Sequence, residues 1–313
     1  MSRNRHRRAK SARAPGNRAP FQKVVVATDF SRSAQRAAER AARLLSPAGG
    51  RLILLHVVPP EIPAEYLVAV EGEARAALVN VKRRLALTAR KAGNRKLAVV
   101  PVVRVGLPWL EIVRLARSEK AGLIVLGRHG RRVIRDLFLG ATAEKVIRKS
   151  SVPVLVVNLK PSSAYRRPLI ALDLKDRSRS TVELALRTLG REVREVSAIH
   201  VYTVPFEGLM MPRLAPRELM AYQNQCKREA VSGLRRVLES AAGGIHWKSS
   251  VRRGAPREVI PREVAAARAD LVILGTHGRS RLSHALLGSV AEYVVRTARC
   301  DVLVAPPASA ALR

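Results

Sequence analysis

The chain has 313 residues, 47% of them hydrophobic, enough apolar material for two cores of about 150 residues each, the usual single-domain size. No run approaches the roughly 18 consecutive apolar residues of a membrane span. The basic N-terminus MSRNRHRRAKSARAPGNRAP carries no apolar segment to make a secretory signal, and Cys226 and Cys300 match neither a disulfide framework nor a metal-ligand spacing. These features exclude membrane insertion and predict a soluble protein of the reducing cytoplasm.

The net charge is +34, and residues 1–20, which hold seven Lys or Arg and no acid, do not account for it, because 51 basic residues stand against 24 acidic in the rest. Such a chain attracts polyanions by counterion release, although Arg outnumbers Lys 46 to 12, a bias that genome composition alone produces. Two readings of the tail stand: a solvated disordered arm, or a dock for nucleic acid or an acidic surface.

After the tail, Phe21 to Asp29 is a β-branched run ending in a polar turn, as in a strand covered on both faces. Ser31 is placed to cap an alanine-rich helix reaching Leu45, which Pro47, Gly49 and Gly50 stop. Arg51 to Val58 is the second strand, Ala64 to Ala92 a long helix and Leu97 to Val105 the third strand, and Gly106 and Pro108 start a helix to Ser118. The strand Gly122 to Leu126, a glycine loop, a helix over Thr142 to Lys149 and the strand Val152 to Val157 complete the unit.

Residues 161–167 (PSSAYRR) read as a linker, after which the pattern restarts. A strand ends at Asp173, a helix covers Ser178 to Leu189, and a strand contains His200 and Val201. There follow a helix over Pro216 to Ala242, the strand Trp247 to Arg252, a helix to Ala267, the strand Leu271 to Leu274, a second glycine loop, a helix, and the strand Asp301 to Ala305. Asp29 pairs with Asp173 and His56 with His200 at an offset of 144 residues, whereas Gly106 pairs with Gly254 and Gly127 with Gly275 at 148, so the extra residues fall between Val201 and Gly254, in the loop near Phe206 to Pro212.

Strands that alternate with helices predict an α/β chain of two tandem doubly wound, five-stranded parallel sheets, residues 21–160 and 166–307 behind the tail 1–20. The final strands VPVLVV and CDVLVA would each leave an apolar edge, and two such edges in one chain can cover each other. Pairing of the domains through these strands is expected, with a homodimer of the whole chain left open.

The chemistry is concentrated in the loops. Gly127, Gly130 and Gly140, and again Gly275, Gly278 and Gly288, form Gly-x-x-Gly, nine residues, then Gly at the mouth of a helix. Glycine admits a ligand close to the backbone, and a helix N-terminus presents unpaired N–H groups, a combination suited to phosphate. Ser289 adds a hydroxyl beside Gly288, whereas the first copy has Ala141 there and Thr142 one residue later.

With strand order 3-2-1-4-5 the ligand crevice lies between the strands ending at Asp29 and Leu126, so Asp29 would face Gly127 and meet a donor-rich base, a ribose or a bridging metal. The alternative for Asp29 and Asp173 is service to turns and helix starts, and for the glycines tight turns without ligand. His129 and His277 could touch phosphate or brace their turns, and His56 and His200 read as hydrogen-bonded core histidines. Arg128, Arg131 and Arg132 either replace the missing Ser or form a solvated basic face. Glu144 with Arg148 and Glu292 with Arg296 read as structural i,i+4 pairs.

The duplication, the glycine spacing and its strand context resemble the universal stress protein family in tandem, and Gly275, Gly278, Gly288 and Ser289 meet the Gly-x2-Gly-x9-Gly-Ser/Thr pattern of that family's nucleotide-binding class in full. The first copy departs at Ala141. The resemblance implies that Asp29 and Asp173, with Val57 and Val201, contact adenine or ribose, and that the loops hold the ribose and phosphates of ATP or AMP, with Mg2+ as an accompanying ion. It implies a stress-response sensor or regulator with at most slow ATP hydrolysis, since the chain lacks a Walker A lysine and a nucleophile–base pair. A nucleic-acid-associated basic protein and a nucleotide-free scaffold are the alternatives; an aromatic content of 4% offers few stacking platforms for the former.

Overall fold

The structure is a computed structural model that describes residues 21–306 apart from 46–47, 92–93, 131–138, 162–163, 175–177, 191–192, 207, 209–214, 242–243 and 277–286. The first domain runs β1 (Lys23–Ala27), α1 (Arg32–Leu44), β2 (Gly50–Val58), α2 (Ala64–Lys91), β3 (Leu97–Val105), α3 (Pro108–Ser118), β4 (Leu123–Gly127), α4 (Ala141–Lys149) and β5 (Val154–Val157). The second runs β6 (Pro168–Leu172), α5 (Ser178–Leu189), β7 (Glu195–Tyr202), α6 (Pro216–Ser240), β8 (His246–Arg253), α7 (Pro256–Ala266), β9 (Leu271–Gly275), α8 (Ser289–Thr297) and β10 (Asp301–Ala305). As the repeat offsets require, the connection from Tyr202 to Pro216 is longer than its counterpart from Val58 to Ala64.

All ten strands belong to one sheet of order β3-β2-β1-β4-β5-β10-β9-β6-β7-β8, the expected 3-2-1-4-5 order and its mirror. The pairs within each domain are parallel. At the junction β5 and β10 run antiparallel, with Leu155 opposite Leu303 at the centre of the register. Both leucines are fully buried, so the two apolar edges do close each other.

One expectation is corrected by this closure. The chain does not form one core per domain but two layers, one on each face of the continuous sheet and each shared by both domains. Val24, Leu52, Ala37, Leu78, Val182 and Leu234 meet in one layer; Val25, Ile53, Ile112, Val146, Val264 and Val294 meet in the other. Alternate residues of a strand point to opposite faces, so a strand covered by helices on both sides is apolar throughout and supplies both layers.

Local chemistry sets the helix starts that surround the site. Ser31 caps α1 by accepting the Ala34 N–H at 3.1 Å. Between β1 and α1 the chain turns through Phe30, and between β6 and α5 through Leu174, with φ of 65° and 58°, a region that side chains seldom adopt. The same unusual conformation on two unrelated side chains, in the turn that carries Asp29 or Asp173, shows that the backbone path is preserved while the sequence changes.

The junction also holds a buried polar cluster present on one side only. The Asp301 carboxylate, fully buried, pairs through Oδ2 with Arg40 Nε at 3.2 Å. It accepts the Tyr165 hydroxyl at 2.7 Å and, through Oδ1, the backbone N–H groups of Asn158 and Leu159 at 2.8 and 2.9 Å. Burial, then the charge of Asp301, pushes the Tyr165 hydroxyl well above its ordinary range, which keeps it a donor. Burial, then the same charge, pushes the neighbouring Cys300 thiol up to about 12.

Candidate nucleotide crevice

The two glycine loops are closed by one repeated backbone bond. Gly140 N–H donates to Arg128 O at 2.9 Å and Gly288 N–H to Thr276 O at 2.7 Å. Each of these glycines is the N-cap of the next helix in extended conformation, and neither makes a side-chain cap hydrogen bond. The first turns of α4 and α8 therefore face the loop with N–H groups that no side chain at the cap occupies, which is the electrostatic setting for an anion. Ser289 is the first residue of α8; Ala141 is the first of α4, with Thr142 after it.

Around this bracket the two crevices differ. In the first domain a Cβ at Gly127 would stand 2.6 Å from Ser33 Oγ, 2.7 Å from the Ser33 carbonyl carbon and 2.9 Å from Ala34 N, so the loop rests directly on the start of α1. The His129 N–H donates to Ser33 Oγ at 3.4 Å. The residue opposite Asp29 is Gly130 rather than Gly127: a Cβ there would meet Asp29 Oδ2 at 2.9 Å. In the second domain the nearest atom among the described residues to a Cβ at Gly275 is Thr181 Oγ1, at 3.9 Å, ordinary contact distance. Gly278, His277, Arg131 and Arg132 lie outside the described residues.

Both aspartates serve the turns they sit in. Asp29 Oδ1 accepts the Ser31 N–H at 3.0 Å, and Asp173 Oδ1 accepts the Ser178 hydroxyl at 3.3 Å. In Asp29 that bond uses Oδ1 while Oδ2 faces Gly130, so turn support and orientation toward the loop coexist. Val57 lies on β2 beside Arg104 of β3, and Val201 on β7 beside Arg252 of β8. Arg104 is tied to Glu111 at 2.9 Å and Arg252 to Glu263 at 2.8 Å. Burial acts to raise the Glu111 carboxyl, but hydrogen bonds from Arg104 and Arg114 outweigh it and hold that group below its ordinary range.

His56 and His200 are hydrogen-bonded histidines of the strands. Their Nδ1 atoms lie 2.8 Å from Thr28 O and 2.7 Å from Leu172 O, which places the proton on Nδ1 as donor. Phe30 packs on the His56 ring with centroids 4.5 Å apart.

Arg128 requires a correction. It neither replaces the missing Ser nor belongs to a solvated face: it is buried and reaches across the junction, donating through Nη1 to Ala298 O at 2.7 Å and through Nη2 to Arg296 O. Those are carbonyls at the C-terminal end of α8, where a cation is favoured. The paired charges of α4 and α8 also do more than their spacing suggested. Besides the i,i+4 bonds, Arg296 bonds Glu144 at 2.9 Å and Arg148 reaches Glu292 at 3.4 Å, so the four close a ring between the domains.

Sequence reasoning missed Ser33 and Thr181. No spacing discloses them, because their glycine partners are far along the chain and only the parallel sheet order brings α1 beside β4 and α5 beside β9. Among the described residues no group of three or more His, Cys, Asp or Glu side chains could hold a metal ion.

Comparison with known proteins follows the duplication. The profile of the universal stress protein family matches residues 20–158 and again 164–306. Universal stress protein MJ0577 of Methanocaldococcus jannaschii is 30% identical over 165 residues, 45% of this chain and 98% of that protein. Universal stress protein Rv2005c of Mycobacterium tuberculosis is 27% identical over 294 residues, 90% of this chain and 96% of that one. The crystal structure of a universal stress protein from Archaeoglobus fulgidus superposes with a TM-score of 0.62 over 91% of this chain and 98% of the other at 21% identity, a likeness of fold.

Proposed function

The chain belongs to the universal stress protein family in tandem form, and from that premise we propose that it is an adenine-nucleotide-binding stress-response regulator whose principal site is the crevice of the second domain. One observation carries the reading: α8 begins at Gly288 without a side-chain cap and places Ser289 at its first position, while Gly275 at the end of β9 keeps ordinary contact distance from Thr181. The N–H groups of that helix start and the Ser289 hydroxyl hold the phosphates, while Asp173 and Val201 meet the base or ribose. ATP is the favoured ligand and AMP the shorter alternative. Magnesium would come with the phosphates.

The first domain repeats the frame with Asp29, Val57, Gly127, Gly130, Gly140 and Thr142, but Ala141 lacks the hydroxyl and Ser33 fills the side of Gly127. It is the weaker site. The output is regulatory, through conformation or assembly in the cytoplasm, and any ATP turnover is slow.

Titration of the full chain with ATP and with AMP tests this. Gly288→Val should remove most of the binding heat and Gly140→Val little of it; equal binding by wild type and Gly288→Val would overturn the assignment. The net charge of +34 supports polyanion association as a second reading. DNA binding that persists at high salt would favour it, and binding that falls away with salt would mark simple counterion release.

A further inference from the structure

The Arg128 clasp runs from one domain's glycine loop to the helix that forms the other domain's phosphate seat. Its backbone carbonyl accepts the Gly140 N–H and so closes the first loop. Its side chain, buried, takes the carbonyls of Arg296 and Ala298 at the far end of α8. That helix spans only Ser289–Thr297. A short helix moves as a unit, so fixing the C-terminal end fixes the direction in which the Gly288–Ser289 end points. Asn158, also from the first domain, adds a bond from Nδ2 to Ala298 O at 3.3 Å.

The residue that repeats Arg128 is Thr276, whose N–H bonds Ala305 O within its own domain. The residue that repeats Ala298 is Ser150; both donate their N–H into the last turn of their own helix, to Val294 O and Val146 O, and Ser150 adds a local bond from its hydroxyl to Val152 O at 2.7 Å.

We propose that Arg128 is a positioning residue for the nucleotide site of the second domain: the first domain's glycine loop has become a clasp that holds α8 with its N-terminus aimed at the phosphates. This rests on the nucleotide reading above. A guanidinium at the C-terminal end and an anion at the N-terminal end both complement the same helix dipole, and the planar fork gives each carbonyl its own nitrogen, where a lysine offers both a single one. Linkage then requires that nucleotide on the second domain tighten the junction in return.

The test uses the full chain as wild type, Arg128→Gln, Arg128→Lys and Gly288→Val, titrated with ATP and followed by amide hydrogen exchange. Gly288→Val should abolish binding at the second domain, Arg128→Gln should weaken it about fivefold or more, and Arg128→Lys should fall between. In wild type, ATP should slow exchange along α8 as far as the Ala298 N–H; in Arg128→Gln the slowing should be confined to the first turn. Unchanged affinity in a folded Arg128→Gln chain overturns the inference and leaves the nucleotide reading standing. If wild type binds no ATP, or Gly288→Val binds as wild type does, the nucleotide reading falls and this inference with it. If Arg128→Gln does not fold, wild type decides, because ATP binding without slowing at Ala298 overturns the proposal.

Discussion

The two domains share a backbone and differ in the polar side chains that meet at their junction. The loop-closing bonds from Gly140 and Gly288, the left-handed residues Phe30 and Leu174, and the histidine bonds of His56 and His200 recur in both. The Asp301 cluster does not: Pro153 repeats Asp301, and Leu184 repeats Arg40. A symmetric pair of separate chains must place every residue on both sides of its axis. A tandem chain is free of that constraint, and here the buried Asp301 carboxylate and Arg40 guanidinium have no counterpart at the repeated positions. The same freedom lets the glycines diverge, Gly127 packed on Ser33 and Gly275 at ordinary contact distance from Thr181.

The steepest consequence of this asymmetry concerns Asp301. Asp301→Ala leaves Arg40 charged and buried without its carboxylate and should cost about 3–5 kcal/mol. Its repeat, Pro153→Ala, should cost about 1 kcal/mol or less. Thermal or urea melts of the two variants measure the contrast, and similar losses would mean that the cluster does not hold the junction.

A smaller contrast separates the first glycines of the two loops. Gly127→Ala drives a methyl into Ser33 and the backbone of Ala34 and should destabilise by about 1–3 kcal/mol. Gly275→Ala meets, among the described residues, only the Thr181 hydroxyl and should stay within about 0.5 kcal/mol of wild type. Equal effects would show that the second loop is as closely packed as the first.

The least effect is one of pH. Glu111 is held below its ordinary value of 4.5, so its contribution is present above that value and is lost as pH falls through the lower folded one. In the second domain Val259 occupies the repeated position over Gly254. Melts of wild type and Glu111→Gln from neutral to acid pH should therefore converge at the acid end; a constant gap would mean that the two arginines do not set the titration.

The element order and the joining of the last strands were legible because each depends on patterns carried within a few residues. Apolar runs mark buried strands, Ser31 marks a cap, and the bare edges of VPVLVV and CDVLVA mark surfaces that need cover. Gly140 and Gly288 as helix starts were legible for the same reason, since a glycine after a strand and before an amphipathic run is a local pattern. What Arg128 does was not, because its partners are carbonyls near residue 297, and carbonyls leave no mark in a sequence. Nor was the choice of Gly130 over Gly127 as the neighbour of Asp29, which depends on how far the loop leans onto α1.

By itself the sequence determined that this protein is a duplicated α/β chain, because the periodicity of apolar runs is a property of adjacent residues. Only the tertiary structure decided that the two apolar layers are shared, that one carboxylate anchors the junction, and that the first loop grips the second domain's helix. Those outcomes depend on which distant groups burial forces into contact, and a buried charge or carbonyl must take whatever partner the fold delivers.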